Sequence, residues 1–448
     1  MQTREKEFQR LKTIKLLTKV EFKRFGVNKK QEIIRLLYEI SKREGVAPKE
    51  IIKGLSFGGF HRLKDTLLKR RFPCASIGRE KLIPYLSQLK LSNKNTFKPN
   101  DGKFYPENIF IEQTVKNSFL AKTAVNKFPC SCVREIVSLK NYLSETKRAE
   151  KISGYNQRRK NLFIIQEQFD FFKKCPCTKN AVNCGYHIFN LGFGCIFDCT
   201  YCYLQEYINI PGIILPANLD SFFNDFLAYK HKNMRLGTGE FSDSLMLDGI
   251  TGYSSSLIDF FKRYPEVTFE FKTKSDNIGN ILKARHSGNI VVAWSLNPQK
   301  IIDENEFFTA SLNERLSAAQ KCVQAGHKVS FHFDPLFYFD GWQPEYQKVI
   351  CALFEKIKPR DISWISLGTF RFKPELKTII EERFRQNTIL DGELLIGYDG
   401  KLRYPYMFRR KMYEFLIREM AKQAKNLPIY LCMEEHSLWK DLKLILPF

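Results

Sequence analysis

The sequence has no run of about 18 uninterrupted apolar residues, so a helical membrane span is not expected. It also lacks an apolar leader. Met1 to Lys12 is polar and mixed in charge, which predicts a cytoplasmic chain with no membrane partner. Acidic residues are scarce: 48 Asp and Glu face 72 Lys and Arg, for a net charge of +24. That excess points to an anionic partner, nucleic acid foremost. A general lysine bias is the plainer reading, and charge alone gives only salt-sensitive, sequence-independent affinity. Twelve cysteines in a cytoplasmic chain read as metal ligands before they read as disulfides. The 448 residues suffice for two or three domains.

The organising stretch is Gly194 to Gln205, G-C-I-F-D-C-T-Y-C-Y-L-Q. Cys195, Cys199 and Cys202 stand in the spacing C-x3-C-x2-C. The apolar run from His187 to Phe193 predicts a strand before them. The thiols then fall at a strand's C-terminal end, where α/β folds place their sites. Three close thiolates suit a soft metal centre such as an iron–sulfur cluster, and three ligands on four irons leave one iron open. A zinc knuckle is the competing reading, and zinc wants a fourth ligand. His187 is the nearest candidate, at the far end of the predicted strand. The spacing, with Tyr201 before the last cysteine, resembles the radical S-adenosylmethionine (SAM) superfamily. The resemblance implies a [4Fe–4S] cluster whose free iron chelates SAM, and reductive cleavage to a 5′-deoxyadenosyl radical.

Residues 1–100 read as a basic helical accessory domain. Helices are predicted at Gln31–Arg43, Lys49–Leu55 and His61–Arg71, separated by Gly45, Pro48 and Gly58–Gly59. Such a unit is either helix-turn-helix-like or a plain accessory domain. Lys69, Arg70 and Arg71 suit a helix C-terminus on dipole grounds alone. Leu91 to Lys103 has linker composition. An α/β lead-in with extra cysteines follows over 104–184, with a strand at Glu107–Glu112 and a helix at Gln113–Asn126. Lys147 to Lys160 is basic and Phe163 to Phe172 aromatic, which suits a nucleic-acid groove or a solvated face beside a core strand. Cys175, Cys177 and Cys184 could hold a second metal with Cys130 or Cys132, or be structural or redox thiols.

From His187 strands alternate with helices. Strands are predicted at Met234–Thr238, Val267–Lys274, Asn289–Leu296, Lys328–Phe333 and Ile362–Leu367. Helices are predicted at Leu219–Lys230, Ser254–Arg263, Ile278–Arg285, Leu312–Ala325 and Tyr346–Lys358. Six repeats require parallel strands with right-handed crossovers. The fold class is therefore α/β: a partial (β/α)6 barrel over 185–370, or an open doubly wound sheet. Residues 371–448 read as an α/β extension covering the barrel mouth. Polar residues gather at the strand ends. Gly237 and Gly239 let backbone approach a ligand. Glu240, Ser242 and Asp243 suit an ammonium group, and Lys274 a carboxylate. Ser275, Asn277, Ser295 and Asn297 suit a ribose or carboxylate, with His332 and Asp334 deeper along the rim.

G-T-G-E-F-S-D-S-L, F-K-T-K-S-D-N, W-S-L-N-P, A-G-H-K-V-S-F-H-F-D-P-L, I-S-L-G-T-F-R-F, D-G-K-L-R-Y and Y-L-C-M-E-E join the cysteine motif in one order. Together they resemble the spore photoproduct lyase family over about residues 107–448. The resemblance implies a radical SAM enzyme of DNA photoproduct repair. Its cluster sits on Cys195, Cys199 and Cys202, and SAM is held by Ser242, Lys274 and Ser295. A reductant such as flavodoxin or ferredoxin and a DNA partner are implied with it. Tyr201 and Tyr203 match tyrosines of the family's site, and Lys401, Arg403 and Tyr404 a basic-aromatic segment near the DNA. The family's hydrogen-donor cysteine is replaced here by Glu240, which cannot readily donate a hydrogen atom; Cys184, Tyr201 and Tyr203 are candidate replacements. Two other functions stay open: radical SAM chemistry on a peptide, tRNA or small metabolite, and a metal-stabilised nucleic-acid-binding protein without turnover.

Overall fold

The computed structural model describes residues 2–445 apart from 56–57, 76–82, 92–94, 98–101, 147–149, 169–171, 230–232 and 286. Parts of the expected linker at 91–103, the start of the basic stretch at 147–149 and the aromatic Phe169 and Phe171 lie outside the described residues. The chain divides into two compact units. One comprises Met1–Lys98, Phe337–Asp340 and Thr369–Met412; the other comprises Pro99–Leu336, Gly341–Gly368 and Tyr413–Phe448. The stretch read as a single C-terminal extension, 371–448, is thus shared out between them.

The first unit is built on four helices, α1 (Gln2–Glu21), α2 (Val27–Glu44), α3 (Pro48–Lys53) and α4 (Phe60–Arg71). The buried stripe of α1, Leu11, Ile14 and Thr18, is narrow, so its helical period is weak in the sequence. Ile33, Leu36, Leu37 and Ile40 of α2 pack with Ile51, Leu63 and Leu67 into one core, which also takes in Leu395. Leu395 lies in a three-stranded sheet of Arg371–Phe372, Leu402–Arg403 and Leu395–Ile396. A buried ion cluster ties α2 to the later segment. Glu39 meets Lys377 at 2.6 Å and Arg71 at 2.8 Å, and Arg35 meets Glu381 at 2.5 Å. These cations hold the Glu39 carboxyl down to about 2 despite the burial that would raise it. The basic face of α4 is also paired: Lys64 with Glu32, Lys69 with Asp65, Arg70 with Glu44.

The second unit holds two sheets. Strands Cys132–Ile136, Asn108–Glu112, Asn161–Ile165 and Ile213–Pro216 form a four-stranded parallel sheet in that order. The larger sheet curls into a half-barrel of β1 (Tyr186–Phe189), β2 (Met234–Gly237), β3 (Val267–Thr273), β4 (Ile290–Ser295), β5 (Lys328–Leu336), β6 (Ile362–Thr369) and β7 (Ile429–Leu431). Its order is β7-β6-β5-β4-β3-β2-β1, with Phe172–Lys174 antiparallel on the β1 edge. The registers from β1 through β5 are parallel, as the right-handed crossovers require. Phe269 and Phe271 alternate with Glu270 and Lys272 along β3. The phenylalanines meet the helix side, where Phe269 stacks on Phe261 at 4.2 Å, and the charges face inward.

Two expectations change. The strand drawn from His187 to Phe193 ends at Phe189. Gly192 and Gly194 take φ of +143° and +89°, which turns the chain out of the sheet. A Cβ on Gly192 would stand 2.7 Å from the Ile214 carbonyl oxygen, so only glycine lets the chain pass here. In the basic run Arg158–Lys160 only Lys160 is exposed. Arg158 is fully buried, Arg159 donates to the Gly102 carbonyl and covers the Phe308 ring at 3.8 Å, and Lys160 pairs with Glu107.

Candidate cluster and cofactor site

Beyond Gly194 the chain forms a loop held from three sides. Asp198–Cys199 pairs antiparallel with Glu306–Phe307, and the Thr200 N–H donates to the Asn305 carbonyl at 2.8 Å. Arg158 donates to the carbonyls of Cys195 (3.0 Å) and Phe197 (2.6 Å) and to the Asp198 carboxylate (3.2 Å). The Gln205 amide donates to the carbonyls of Thr200 (2.9 Å) and Cys202 (3.0 Å). A buried guanidinium and a buried amide therefore fix the outline of the loop through its main chain.

That outline presents Cys195, Cys199 and Cys202 as free thiols, the first two buried. Burial pushes the Cys195 thiol up to about 12, with Asp243 and Cys202 adding to the rise. Burial raises Cys199 further, and Cys202 and Cys195 are among the groups acting on it. Three sulfurs in mutual electrostatic reach, each disfavouring charge on the next, form a donor set that a cationic soft metal stabilises. Among the described residues no three His, Cys, Asp or Glu side chains stand at the distances of a single ion. Cysteine thiolates are the usual holders of iron–sulfur clusters, whereas tetrahedral zinc wants a fourth ligand. His187, the fourth ligand that zinc would need, stacks on Phe172 with 5.3 Å between ring centres.

Around the loop lies a polar network that the sequence did not disclose. Glu306 is its hub. Its carboxylate accepts from Arg315 at 2.6 Å, from the Asn297 amide at 3.0 Å and from the Tyr201 hydroxyl. Asn297 also accepts from Tyr346 at 3.1 Å, and Arg315 donates to the Ser295 carbonyl at 2.9 Å. Tyr201 is thus a buried, fixed phenol. The Lys274 ammonium lies 5.7 Å from the Tyr201 ring centre and feels Glu306 and Cys199, which raise its pKa against burial. Tyr203 is 40 % exposed and donates to the Glu240 carbonyl oxygen.

The ends of β2 and β3 supply the second part. Asp243 accepts from the Thr273 hydroxyl (2.6 Å), the Lys274 N–H (2.7 Å) and the Leu245 N–H (3.0 Å). Most of its acceptor capacity is committed to joining the two strand ends. Ser242 lines a cleft with Thr238, Asp243, Met246, Leu247 and Tyr253. Ser275 accepts from the Asn277 N–H, and Asn277 donates to the Leu245 carbonyl. Space beside Gly237 is filled by the Tyr186 hydroxyl, where a Cβ would stand 1.9 Å away; a Cβ on Gly239 would meet the Lys272 stem at 3.2 Å. Glu240 pairs with Lys173 at 2.6 Å. His332 faces Glu270 at 2.6 Å inside the barrel. Burial raises the Glu270 carboxyl, but His332, Arg235 and Lys272 outweigh it and hold Glu270 down to about 2. Arg403 and Tyr404 are buried in the first unit, Arg403 on Asp399 at 2.7 Å, so neither is presented to a nucleic acid.

The structure therefore gathers the three thiols, Tyr201, Lys274, Ser295 and Asn297 around the loop, and Ser242 and Asp243 around the cleft, whose lining does not include Ser275 or Asn277. Arg158, Gln205, Glu306 and Arg315 were not foreseen. Gln205 closes the cysteine motif, and its amide so near three loop carbonyls was the one signal available.

Comparison with known proteins accords with this arrangement. The spore photoproduct lyase of Geobacillus sp. (strain Y412MC61) is 26 % identical over 291 residues, covering 63 % of this chain and 83 % of that protein. The spore photoproduct lyase of Bacillus subtilis (strain 168) is 25 % identical over 309 residues, covering 65 % and 86 %. A solved spore photoproduct lyase complexed with dinucleoside spore photoproduct superposes with a TM-score of 0.63 at 23 % identity, covering 73 % of this chain and 99 % of that one. A variant of that enzyme with bound AdoMet and dinucleoside spore photoproduct gives 0.62 over the same shares. The family model described as Spore photoproduct lyase matches residues 104–423, and this chain belongs to that family.

Proposed function

We propose that the chain is a radical SAM enzyme of the spore photoproduct lyase type that acts on a photoproduct in DNA. One observation carries the reading: Cys195, Cys199 and Cys202 are brought together as free thiols on a loop shaped by Arg158 and Gln205. When bound, a [4Fe–4S] cluster and SAM supply a carbon-centred radical able to take hydrogen from a substrate. The three cysteines hold the cluster. Lys274 would pair with the carboxylate of SAM, and Ser242 and its neighbours in the cleft would help to hold the cofactor. Tyr201 is oriented by Glu306. Tyr203 stands at the exposed edge, where its ring can meet substrate. The excess of 24 positive charges favours a polyanion over a small metabolite.

The test is anaerobic. Reconstituted protein, SAM and a one-electron reductant are incubated with DNA carrying spore photoproduct. Release of 5′-deoxyadenosine with recovery of thymine supports the proposal, and Cys199→Ala abolishes both. SAM cleavage without loss of the lesion moves the substrate to a peptide, tRNA or metabolite. Neither product, with a full cluster in place, overturns the enzyme reading.

A further inference from the structure

Arg158 and Gln205 hold the cysteine loop by its carbonyls. Two of its N–H groups, one on each side of Cys195, have partners elsewhere. The Gly194 N–H donates to the Phe241 carbonyl at 2.9 Å. The Ile196 N–H donates to the Met246 thioether sulfur at 3.4 Å. Both acceptors belong to the segment that follows β2. Phe241 also stacks on Phe193, with 5.2 Å between ring centres, so the same segment grips the chain where it enters the loop.

That segment also walls the cleft. Ser242, Asp243, Met246 and Leu247 line it, and Asp243 fastens it to the end of β3 through Thr273 and the Lys274 N–H. Met246 therefore has one side on the cleft and its sulfur on the cysteine loop. Filling of space does not account for the contact. Ile196 is buried, and a buried main-chain donor needs an acceptor. Among the described residues the Met246 sulfur is the acceptor that the Ile196 N–H has. A thioether accepts only weakly, so this donor is held by a light bond. A leucine would fill much the same volume and leave the N–H without an acceptor.

We propose that Met246 is a positioning residue, which ties the main chain beside Cys195 to the wall of the cofactor cleft and withholds the Ile196 N–H from the sulfurs of the loaded site. The proposal rests on the reading of Cys195, Cys199 and Cys202 as cluster ligands. Hydrogen bonds to the sulfurs of a cluster are among the levers that set its reduction potential, and each one stabilises the more negative, reduced form. A donor released beside Cys195 would shift the potential upward. Met246 and the Phe241 carbonyl engage the two nearest main-chain donors, which favours the low potential that one-electron reduction of SAM demands. Their place in the cleft wall also fixes how the Cys195 side of the loop lies against bound SAM.

Two substitutions separate the sulfur from its bulk. Met246→Leu keeps the volume and removes the acceptor; Met246→Gln restores an acceptor in its amide oxygen. The first readout is amide exchange at Ile196 in the full chain without a cluster. Exchange is expected to quicken about fivefold in Met246→Leu and to stay near the parent rate in Met246→Gln. The second is a redox titration of the anaerobically reconstituted chain, without SAM or DNA, followed by electron paramagnetic resonance at matched iron and sulfide content. At the parent's midpoint the ratio of reduced to oxidised cluster is expected to rise about threefold in Met246→Leu and to fall back in Met246→Gln. Should Met246→Leu fail to fold, norleucine in place of methionine removes the sulfur at nearly constant shape, and Ile196 exchange in that chain decides. Unchanged exchange, a midpoint that does not move, or equal changes in the leucine and glutamine forms overturns the proposal. A parent chain that takes up no cluster overturns the reading of the site and the claim on the potential with it. Ile196 exchange, measured without a cluster, judges the Met246 contact apart from that failure.

Discussion

Both units bury arginine, and they use it differently. In the first, Arg35 and Arg71 meet carboxylates: Arg35 on Glu381 joins α2 to a segment more than 300 residues away, and Arg71 on Glu39 joins α4 to α2. In the second, Arg158 gives two of its bonds to carbonyls of the cysteine loop and one to Asp198. The former arrangement is a fastening between elements. The latter is a mould for a loop that has no secondary structure of its own to hold it. Loss of the first kind is expected to cost stability, and loss of the second to cost the metal.

The sharpest way to break that contrast is Arg158→Met. It strands Asp198 and two loop carbonyls, a change of about 3–5 kcal/mol in a buried network. The expected outcome is at least a tenfold fall in iron bound at the cysteine loop after reconstitution, with the helices of the first unit unaffected by circular dichroism. Glu39→Gln is the mirror experiment. It leaves Lys377, Arg71 and Arg35 short of an anion and is expected to cost about 3 kcal/mol. Amide exchange in α2 should accelerate while cluster content stays full. All four tryptophans, Trp294, Trp342, Trp364 and Trp439, lie in the second unit, so their fluorescence reports that unit alone.

Acid sharpens the same contrast. The Glu39 carboxyl is depressed from 4.5 to about 2 in the folded chain. Its contribution is therefore whole above pH 4.5 and drains away as pH falls from there to 2, on the order of 3 kcal/mol in all. Exchange in α2 should rise through that window in the parent chain, and Glu39→Gln should flatten the dependence. A smaller effect is expected from Gln205→Leu, which deprives loop carbonyls of their donor at about 1–3 kcal/mol. Cluster loss on exposure to a chelator should quicken, with little change in the unfolding midpoint. The least is Ser311→Ala. It removes the reciprocal cap that Ser311 and Glu314 make at the start of helix Leu312–Gln324, at about 1 kcal/mol, read as a small drop in melting temperature.

The sequence disclosed whatever is periodic or locally spaced. The strands β2 to β6 lie within three residues of expectation, because each is a compact run bounded by turn residues. The cysteine loop was legible for the same local reason. What escaped depends on partners far along the chain. Arg158 sits in a basic run that spacing alone assigns to the surface, and only the fold carries it 40 positions to Asp198. Glu306 and Arg315 read as an unremarkable acid and base until a two-residue ladder brings Glu306 beside Cys199. The narrow stripe of α1 gave too weak a period to separate it from a polar tail.

The grip of Arg158 and Gln205 on main-chain oxygens has one more consequence. Neither residue touches a sulfur in order to do its work, so the receptacle keeps its form whether or not it is filled. Oxygen that strips such a centre would leave a socket ready to be reloaded, and damage by air becomes a matter of repair and resupply instead of a sentence of degradation.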